Sequence, residues 1–416
     1  MHHTKTAMLP SNGSVALISG KPFKHRIFVR SNCRTSATMT PTEQGSIGVE
    51  GDGGRRGVRL MHASTWATSR VQYRLNQNEW RELPCTDTRS SAGRLREVFI
   101  ETDGGDLEFV MTDGQGQFDK NQDGSNFQVS GSGVYSINDG QLVARQGPRF
   151  MVVSDLDGTM VGDDATTLRF KTYWEEEAVW RGSVLVFSSG RTLEQYLELA
   201  AEKDGVIASP DALVSAVGTR VYTRLGQEQW EEDDAWTATL DEGWNEQVVL
   251  DSCTEAIELC GEDKMHFRPL HEMNAHKITC GIHVDVLEQA ESCIQSTLDA
   301  ANVKAKLIRS GQGDWRYLDI VPVGAGKLES LEYIRQQMGI PKERTVACGD
   351  SGNDIAMFEG ENLSIVVGNA QPDLVAWLEQ YTPTAPVLEN GQARILHANA
   401  KVADGILEGL KHFGLY

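Results

Sequence analysis

The chain has 416 residues and carries 39 Lys and Arg against 59 Asp and Glu, a net charge of −20. That length allows two or three domains, each with its own core, and the negative charge excludes nucleic acid and an anionic membrane surface as natural partners of the folded body. No apolar run approaches the roughly 20 residues that cross a bilayer, which predicts a soluble protein. The seven cysteines, none in a CxxC pair, fit a reduced compartment.

Met1 to Thr42 contains no Asp or Glu, yet carries Lys5, Lys21, Lys24, Arg26, Arg30 and Arg34 among many Ser and Thr. This composition predicts a transit peptide over 1–45 and a plastid address, with the cytoplasm as the alternative. A Gly-rich stretch then predicts a flexible linker over 46–60. From His62 to about Arg145 short β-type runs alternate with turn signals: Val71 to Leu75, Arg96 to Ile100, Leu107 to Met111, Phe127 to Val129 and Val134 to Ile137. That rhythm predicts a small all-β sandwich over 61–147.

At Arg149 the texture changes to the buried-strand run Phe150 to Val153, followed by strands and helices in alternation, which predicts an α/β domain. Val184 to Ser188, Arg344 to Cys348 and Ser364 to Val367 are expected strands. Thr192 to Lys203 and Lys327 to Met338 are expected helices.

The first of these strands ends in Asp155-Leu156-Asp157-Gly158-Thr159, at the carboxyl edge where open parallel sheets bind ligands. Two carboxylates at this spacing supply a nucleophile and a separate acid/base, provided a cation tempers their repulsion. Ser189-Gly190-Arg191 follows the second strand and offers a hydroxyl to phosphoryl oxygens. Lys327 can neutralise phosphate charge, and Gly349-Asp350-Ser351-Gly352-Asn353-Asp354 can complete an all-oxygen Mg²⁺ site.

Together and in this order, these four segments resemble the signature of the haloacid-dehalogenase superfamily. The resemblance implies a Rossmann-like core with an inserted α/β cap, and roles for the matching residues. Asp155 is the expected nucleophile and Asp157 the acid/base. Ser189 and Lys327 would stabilise the transferring phosphoryl group. Asp155, the Asp157 carbonyl, Asp350 and Asp354 would serve Mg²⁺, with Asn353 beside them. Asp155 to Ser189 is 34 residues, too few for an inserted domain, whereas Ser189 to Lys327 is 138. The cap is therefore expected at 230–315, the core at 148–229 and 316–385, and 386–416 as a segment packing on the core.

Within that superfamily residues 150–416 resemble the sucrose-phosphate phosphatases. The likeness is carried by Ser215-Ala216-Val217-Gly218-Thr219-Arg220, by His276-Lys277, by Leu318-Asp319-Ile320-Val321-Pro322-Val323-Gly324-Ala325-Gly326-Lys327 and by the tail Ala403 to Leu415. It implies that Lys277, Gly190, Arg191, Gly218, Thr219 and Asn353 contact the sugar phosphate. Arg220 and Leu328-Glu329-Ser330 depart from the family pattern.

Residues 62–145 resemble the starch-binding modules of carbohydrate-binding families 25 and 53. The carriers are Val71 to Trp80, Leu107 to Gly114, and Phe118-Asp119-Lys120-Asn121. The resemblance implies Trp80 and Phe118 as sugar-stacking rings and Asn121 as a hydrogen-bonding partner. Asp119 to Gly124 opens like an EF-hand loop, but Ser130 stands where a bidentate Glu is required, so no Ca²⁺ is expected. The expected function is Mg²⁺-dependent hydrolysis of a sugar phosphate, sucrose 6-phosphate first, beside starch or another α-glucan. The alternatives are a phosphatase of trehalose phosphate or a glycosyl phosphate, and a non-catalytic glucan-binding sensor.

Overall fold

The structure is a computed structural model that describes residues 56–88, 95–225, 229–311, 313–381, 387–388 and 390–416. The transit segment expected over 1–45 and most of the expected linker lie outside the described residues. The linker reading runs too far, because Gly57–Ala63 is a strand. Val58 and Leu60 enter the sandwich core while Met61 packs on the next domain. A strand buried on both faces has no polar alternation to reveal it.

The sandwich is two five-stranded sheets. One runs Gln141–Arg145, Gly133–Asn138, Gly57–Ala63, Leu95–Glu101, Thr86–Asp87; the other runs Arg81–Pro84, Arg70–Leu75, Asp106–Thr112, Phe118–Asp119, with Phe127–Ser130 also paired to Asp106–Thr112. Val58, Leu60 and Ile100 of the first sheet meet Val71, Leu107 and Phe109 of the second in one core, as strand alternation dictates. The first sheet's outer face is also covered: Met61, Leu95 and Val134 join Phe150, Trp174 and Val179, and Arg145 lies 5.2 Å over Trp180. The sandwich is seated on the α/β domain. Trp80 and Phe118, by contrast, are exposed.

The α/β core is an eight-stranded sheet in the order Gln229–Glu232, Arg220–Leu225, Ala212–Ser215, Val184–Ser188, Met151–Ser154, Thr345–Gly349, Leu363–Val366, Ile395–His397. Its central strands are parallel and buried on both faces. Val152 and Leu185 pack into one helical layer and Met151 and Val153 into the other. The tail does pack on the core: Ile395–His397 extends the sheet, and Ile406 and Leu410 share a cluster with Phe170.

Both expected cap boundaries are corrected. Gln229–Glu232 hydrogen-bonds to Arg220–Leu225 in the core sheet, and Trp236 is buried in a core cluster, so the first residues assigned to the cap belong to the core. Conversely, Trp315–Pro322 pairs with Ile278–His283 and Ala305–Ser310 and is a cap strand rather than a core one. The cap thus runs from helix Glu246–Cys260 to strand Trp315–Pro322, with sheet order Met265–Phe267, Ile278–His283, Trp315–Pro322, Ala305–Ser310. An apolar β-run pairs with whichever sheet reaches it, and spacing does not say which. Helices Glu246–Cys260 and Leu287–Ala300 cover one face of that sheet. No described helix is long and apolar enough to cross a membrane.

Candidate active site

A cavity of about 1140 Å³ opens at the carboxyl edge of the core sheet, beneath the uncovered face of the cap sheet. Asp155 and Asp157, Ser189 to Arg191, Lys327 and Asn353 line it from the core, and Lys277 lines it from the cap. The parallel strands explain the convergence: Met151–Ser154, Val184–Ser188 and Thr345–Gly349 end side by side, placing Asp155, Ser189 and Asp350 at one edge. Gly158 turns the chain with φ of 82°, and a Cβ there would lie 2.6 Å from Asp350 Oδ2. Only glycine lets the two motifs close on each other.

Lys327 opens helix Lys327–Gln337 and is buried. Its Nζ donates to Asp155 Oδ1 at 2.7 Å, Asp354 Oδ1 at 2.6 Å and Asn353 Oδ1 at 3.2 Å. Burial alone would lower the lysine's pKa, but the carboxylates of Asp155 and Asp354 outweigh it and raise it. Burial raises Asp155 to about 7 against the pull of Lys327, helped by repulsion from Asp354 and Asp350. Burial also raises Asp350, whose carboxylate accepts from Thr159 Oγ1 at 2.9 Å and Gln371 Nε2 at 3.3 Å.

Carboxylate oxygens of Asp155, Asp350 and Asp354 lie within 4.8 Å of one another, all three residues buried. Among the described residues, the buried lysine that bonds to these acids is Lys327, which reaches Asp155 and Asp354. A divalent cation restores the balance, and an all-carboxylate donor set suits Mg²⁺. Asp354 spends its second oxygen on the Asp350 and Ser351 amides, both at 3.1 Å, so it also fixes the loop that carries Asp350.

Asp157 is turned aside, its side chain 56% exposed and paired with Arg191 through bonds of 2.7 and 2.8 Å. Ser189 accepts from the Arg191 amide at 3.2 Å, which leaves its hydroxyl proton for a ligand. Lys277 is buried beside Asp319 at 3.1 Å and donates to the Glu272 carbonyl at 3.1 Å. Thr279 donates to the same Asp319 at 2.6 Å. Thr279, Asp319, Glu272 and Tyr317 all line the cleft, and the sequence reading singled out none of the four as a site residue. Asp319 had a signal, since it stands inside the quoted Leu318 to Lys327 segment.

Two expected substrate contacts are elsewhere. Gly218 and Thr219 are not among the lining residues. Gly218 packs so tightly on Gly326 that a Cβ has no room, and it thereby backs the turn that presents Lys327. Thr219 is fully buried, donating to Ala216 and accepting from Asn274 of the cap, 2.9 and 3.0 Å. The motif braces the site from behind. The family departures also lie off the cleft: Arg220 pairs with Glu232, and Glu329 pairs with cap residue Lys306 at 2.6 Å.

On the sandwich, Trp80 is 45% and Phe118 50% exposed. Register places them on the same outer face, Phe118 opposite Thr112 and Trp80 beside Arg74, whose guanidinium lies 5.1 Å over the indole. Asn121 does not reach outward: its amide donates to Ser125 and to the Asn126 carbonyl, 3.1 and 2.9 Å, closing its own turn. Asn126 instead joins the face, donating to Glu108 at 2.6 Å.

The family model of sucrose-6F-phosphate phosphohydrolases matches residues 148–414. Sucrose-phosphatase 1 of Nicotiana tabacum is 33% identical over 276 residues, 64% of this chain but only 60% of the relative, so the chain spans about three fifths of that relative's length. Mannosylfructose-phosphate phosphatase of Agrobacterium fabrum is 33% identical over 269 residues, 98% of its length. The solved sucrose-phosphatase of Synechocystis sp. PCC6803, in complex with sucrose and phosphate, superposes with a TM-score of 0.53 at 26% identity, covering 64% of this chain and 98% of that one.

Proposed function

The chain belongs to the sucrose-6F-phosphate phosphohydrolase family, and from that premise we propose that it hydrolyses sucrose 6-phosphate to sucrose and phosphate through an aspartyl-phosphate intermediate. The observation that carries the reading is the buried Asp155–Lys327–Asp354 network at the bottom of a cleft that Lys277, Thr279 and Asp319 also line from the cap. Mannosylfructose phosphate is the second reading, since the relative named for it matches over nearly its whole length.

Mg²⁺ bound by Asp155, Asp350 and Asp354 would neutralise phosphate charge and polarise the phosphoryl oxygens. The residues of the chain do the rest. Asp155 attacks phosphorus, forming a carboxyl O–P bond as the sugar O–P bond breaks. Asp157, released from Arg191 and protonated from solvent, gives that proton to the departing sugar oxygen. It then takes a proton from the water that attacks phosphorus, and the carboxyl O–P bond breaks to free phosphate and restore Asp155. Lys327 holds the Asp155 carboxylate for attack, and the Ser189 hydroxyl donates to a phosphoryl oxygen.

The test is phosphate release by the full chain with Mg²⁺ from sucrose 6-phosphate, mannosylfructose phosphate, trehalose 6-phosphate and glucose 6-phosphate, with Asp155→Asn as control. Selective release from sucrose 6-phosphate that the control lacks supports the reading. Release from another sugar keeps the chemistry and moves the substrate, and no release from any sinks it.

The proposal extends to α-glucan as a partner of the sandwich. What supports it is the pair of exposed rings, Trp80 and Phe118, on one outer face with a polar row of Arg74, Glu108 and Asn126 alongside, since sugars stack their apolar faces on rings and bond their hydroxyls to such neighbours. Sedimentation with insoluble starch, wild type against Trp80→Ala, decides it: wild type left in the supernatant would end the glucan reading. A plastid address, supported by the acid-free first 42 residues, is tested by import of a fluorescent fusion of residues 1–60 into isolated plastids.

A further inference from the structure

Cap and core each bury their own apolar residues. Val249, Ile278, Ile294 and Ile320 belong to the cap's cluster, and the core's clusters lie in the two layers beside its sheet. Where two units share little apolar surface, individual contacts decide how one sits on the other, and the cap's edge strand, Ala305–Ser310, makes several of them. Alternation turns Ala305 and Leu307 under the helices and Lys306, Ile308 and Ser310 to the open face. Ile308 packs against a core cluster and, with Ser310, lines the cleft. Lys306, nearest the connection back to the core, pairs with Glu329 at 2.6 Å.

Glu329 stands in the first turn of helix Lys327–Gln337, two residues after Lys327 and inside the segment that departs from the family pattern. The pair closes over Gly326, whose φ of 136° favours glycine; a Cβ there would collide with Glu329 Oε2 and come 2.8 Å from Lys306 Nζ. The two side chains are only 32% and 35% exposed, and Glu329 Oε2 is buried without a hydrogen-bond partner among the described residues. The carboxylate has lost water on one side and takes its compensation from Lys306. Both chain crossings between core and cap meet immediately before the same strand: the Lys304 amide donates to the Gly243 carbonyl at 2.8 Å, and the Lys304 carbonyl accepts from the Val323 amide at 3.2 Å. Lys304 is thus a pivot. Lys306 lies two residues and about 7 Å beyond it, so lifting the cap by about 25° moves Lys306 by about 3 Å and parts it from Glu329.

We propose that Lys306 and Glu329 form an ionic latch that holds the cap seated on the core, so that the affinity of the cleft for sugar phosphates depends on a pair neither member of which lines it. Seating brings Lys277, Thr279 and Asp319 over Asp155; when the pair parts, those groups withdraw from the ligand while the floor keeps its geometry. Being an ion pair about a third open to solvent, the latch weakens as salt rises. Its effect on KM rests on the sugar-phosphatase reading above, and its effect on the cap does not.

The experiment measures kcat and KM on sucrose 6-phosphate, mannosylfructose phosphate and p-nitrophenyl phosphate for wild type, Glu329→Gln, Lys306→Glu and the charge-swapped double variant Lys306→Glu with Glu329→Lys, at about 50 mM and about 500 mM NaCl. At low salt Glu329→Gln is expected to raise KM for the cleaved sugar phosphate about fivefold with kcat within about twofold. At high salt the excess over wild type shrinks to within about twofold. Lys306→Glu, which sets like charges together, raises KM further, and the double variant returns it to within about twofold of wild type. p-Nitrophenyl phosphate, with no sugar for the cap to hold, is unaffected. A rise that the swap does not restore, an excess that ignores salt, or an equal loss on p-nitrophenyl phosphate overturns the latch. Amide exchange over residues 303–311 of the substrate-free chain reads the cap without activity: Glu329→Gln should speed it about fivefold, and exchange unchanged from wild type overturns the latch. Wild type that cleaves p-nitrophenyl phosphate but no sugar phosphate refutes the sugar-phosphatase reading, and the exchange measurement alone then decides the latch.

Discussion

On the floor of the cleft buried Lys327 bonds to buried Asp155 at 2.7 Å and to buried Asp354 at 2.6 Å, while on the roof Tyr317 stands half open on a sheet face. The floor comes from strand ends and a helix start, where backbone geometry leaves little freedom, and each of its charged groups is fixed by another. The roof comes from the alternate residues of cap strands, whose packed side is apolar and whose open side is free to vary. Reacting atoms need fixed positions, so a change on the floor should be felt by every substrate. Recognition needs only surface, so a change on the roof should be felt by some substrates and not others.

Asp155→Asn should break the floor most completely, lowering kcat about ten-thousand-fold on all substrates without moving KM to match. Lys327→Met should lower kcat about a hundredfold or more and destabilise the metal-free fold by about 3 kcal/mol, because two buried acids lose their counter-charge. Denaturant unfolding against steady-state kinetics separates the two effects. On the roof, Asp319→Asn should raise KM about tenfold for sugar phosphates and leave p-nitrophenyl phosphate alone; loss on both would erase the distinction between the two surfaces.

The floor should also respond to pH through its cation. Burial favours the protonated form of Asp155 up to about pH 7 in the metal-free protein, and Mg²⁺ must displace that proton. Its affinity should therefore fall by up to about tenfold per pH unit below 7 and level off above it. In the same window, from the ordinary carboxylate range up to about 7, rising pH costs the metal-free fold stability, since a pKa raised by folding favours the protonated state. Thermal melts with and without Mg²⁺ at pH 5 and pH 8 should show the larger Mg²⁺-induced rise at pH 8. The smallest expected effect is on the sandwich: Trp80→Ala should abolish retention on starch yet change turnover of a soluble sugar phosphate by less than about twofold, since the ring belongs to the opposite sheet from the one seated on the core.

Much of the floor was legible because its chemistry is written as contiguous motifs. Asp155 with Asp157, Ser189, Lys327 and Asp350 with Asp354 each sit immediately beyond a strand or at a helix start, and their order along the chain survives any detail of packing. Gly218 and Thr219 were misplaced because a motif marks a position as constrained without saying by what; here the constraint is close packing on Gly326 and a hydrogen bond to the cap. Asn121 failed for a related reason, since a short polar side chain in a turn can satisfy its own backbone as easily as a ligand.

The amino-acid sequence by itself showed much of the order of strands and helices and a sandwich followed by an α/β domain, and the resemblance carried by its four motifs, with their spacing, implied the inserted cap and the residues that converge at the core sheet's edge. The first of these depend on local periodicity, and the convergence follows the rule that parallel strands end together. Only the tertiary structure decided which sheet Gln229–Glu232 and Trp315–Pro322 join, that the sandwich is seated on the core through Met61, Leu95 and Val134, and that Tyr317 and Asp319 face Asp155 across a cavity. Those choices are made by hydrogen-bond pairing and apolar contact between segments far apart in the chain, and neither leaves a trace in the spacing of any one of them.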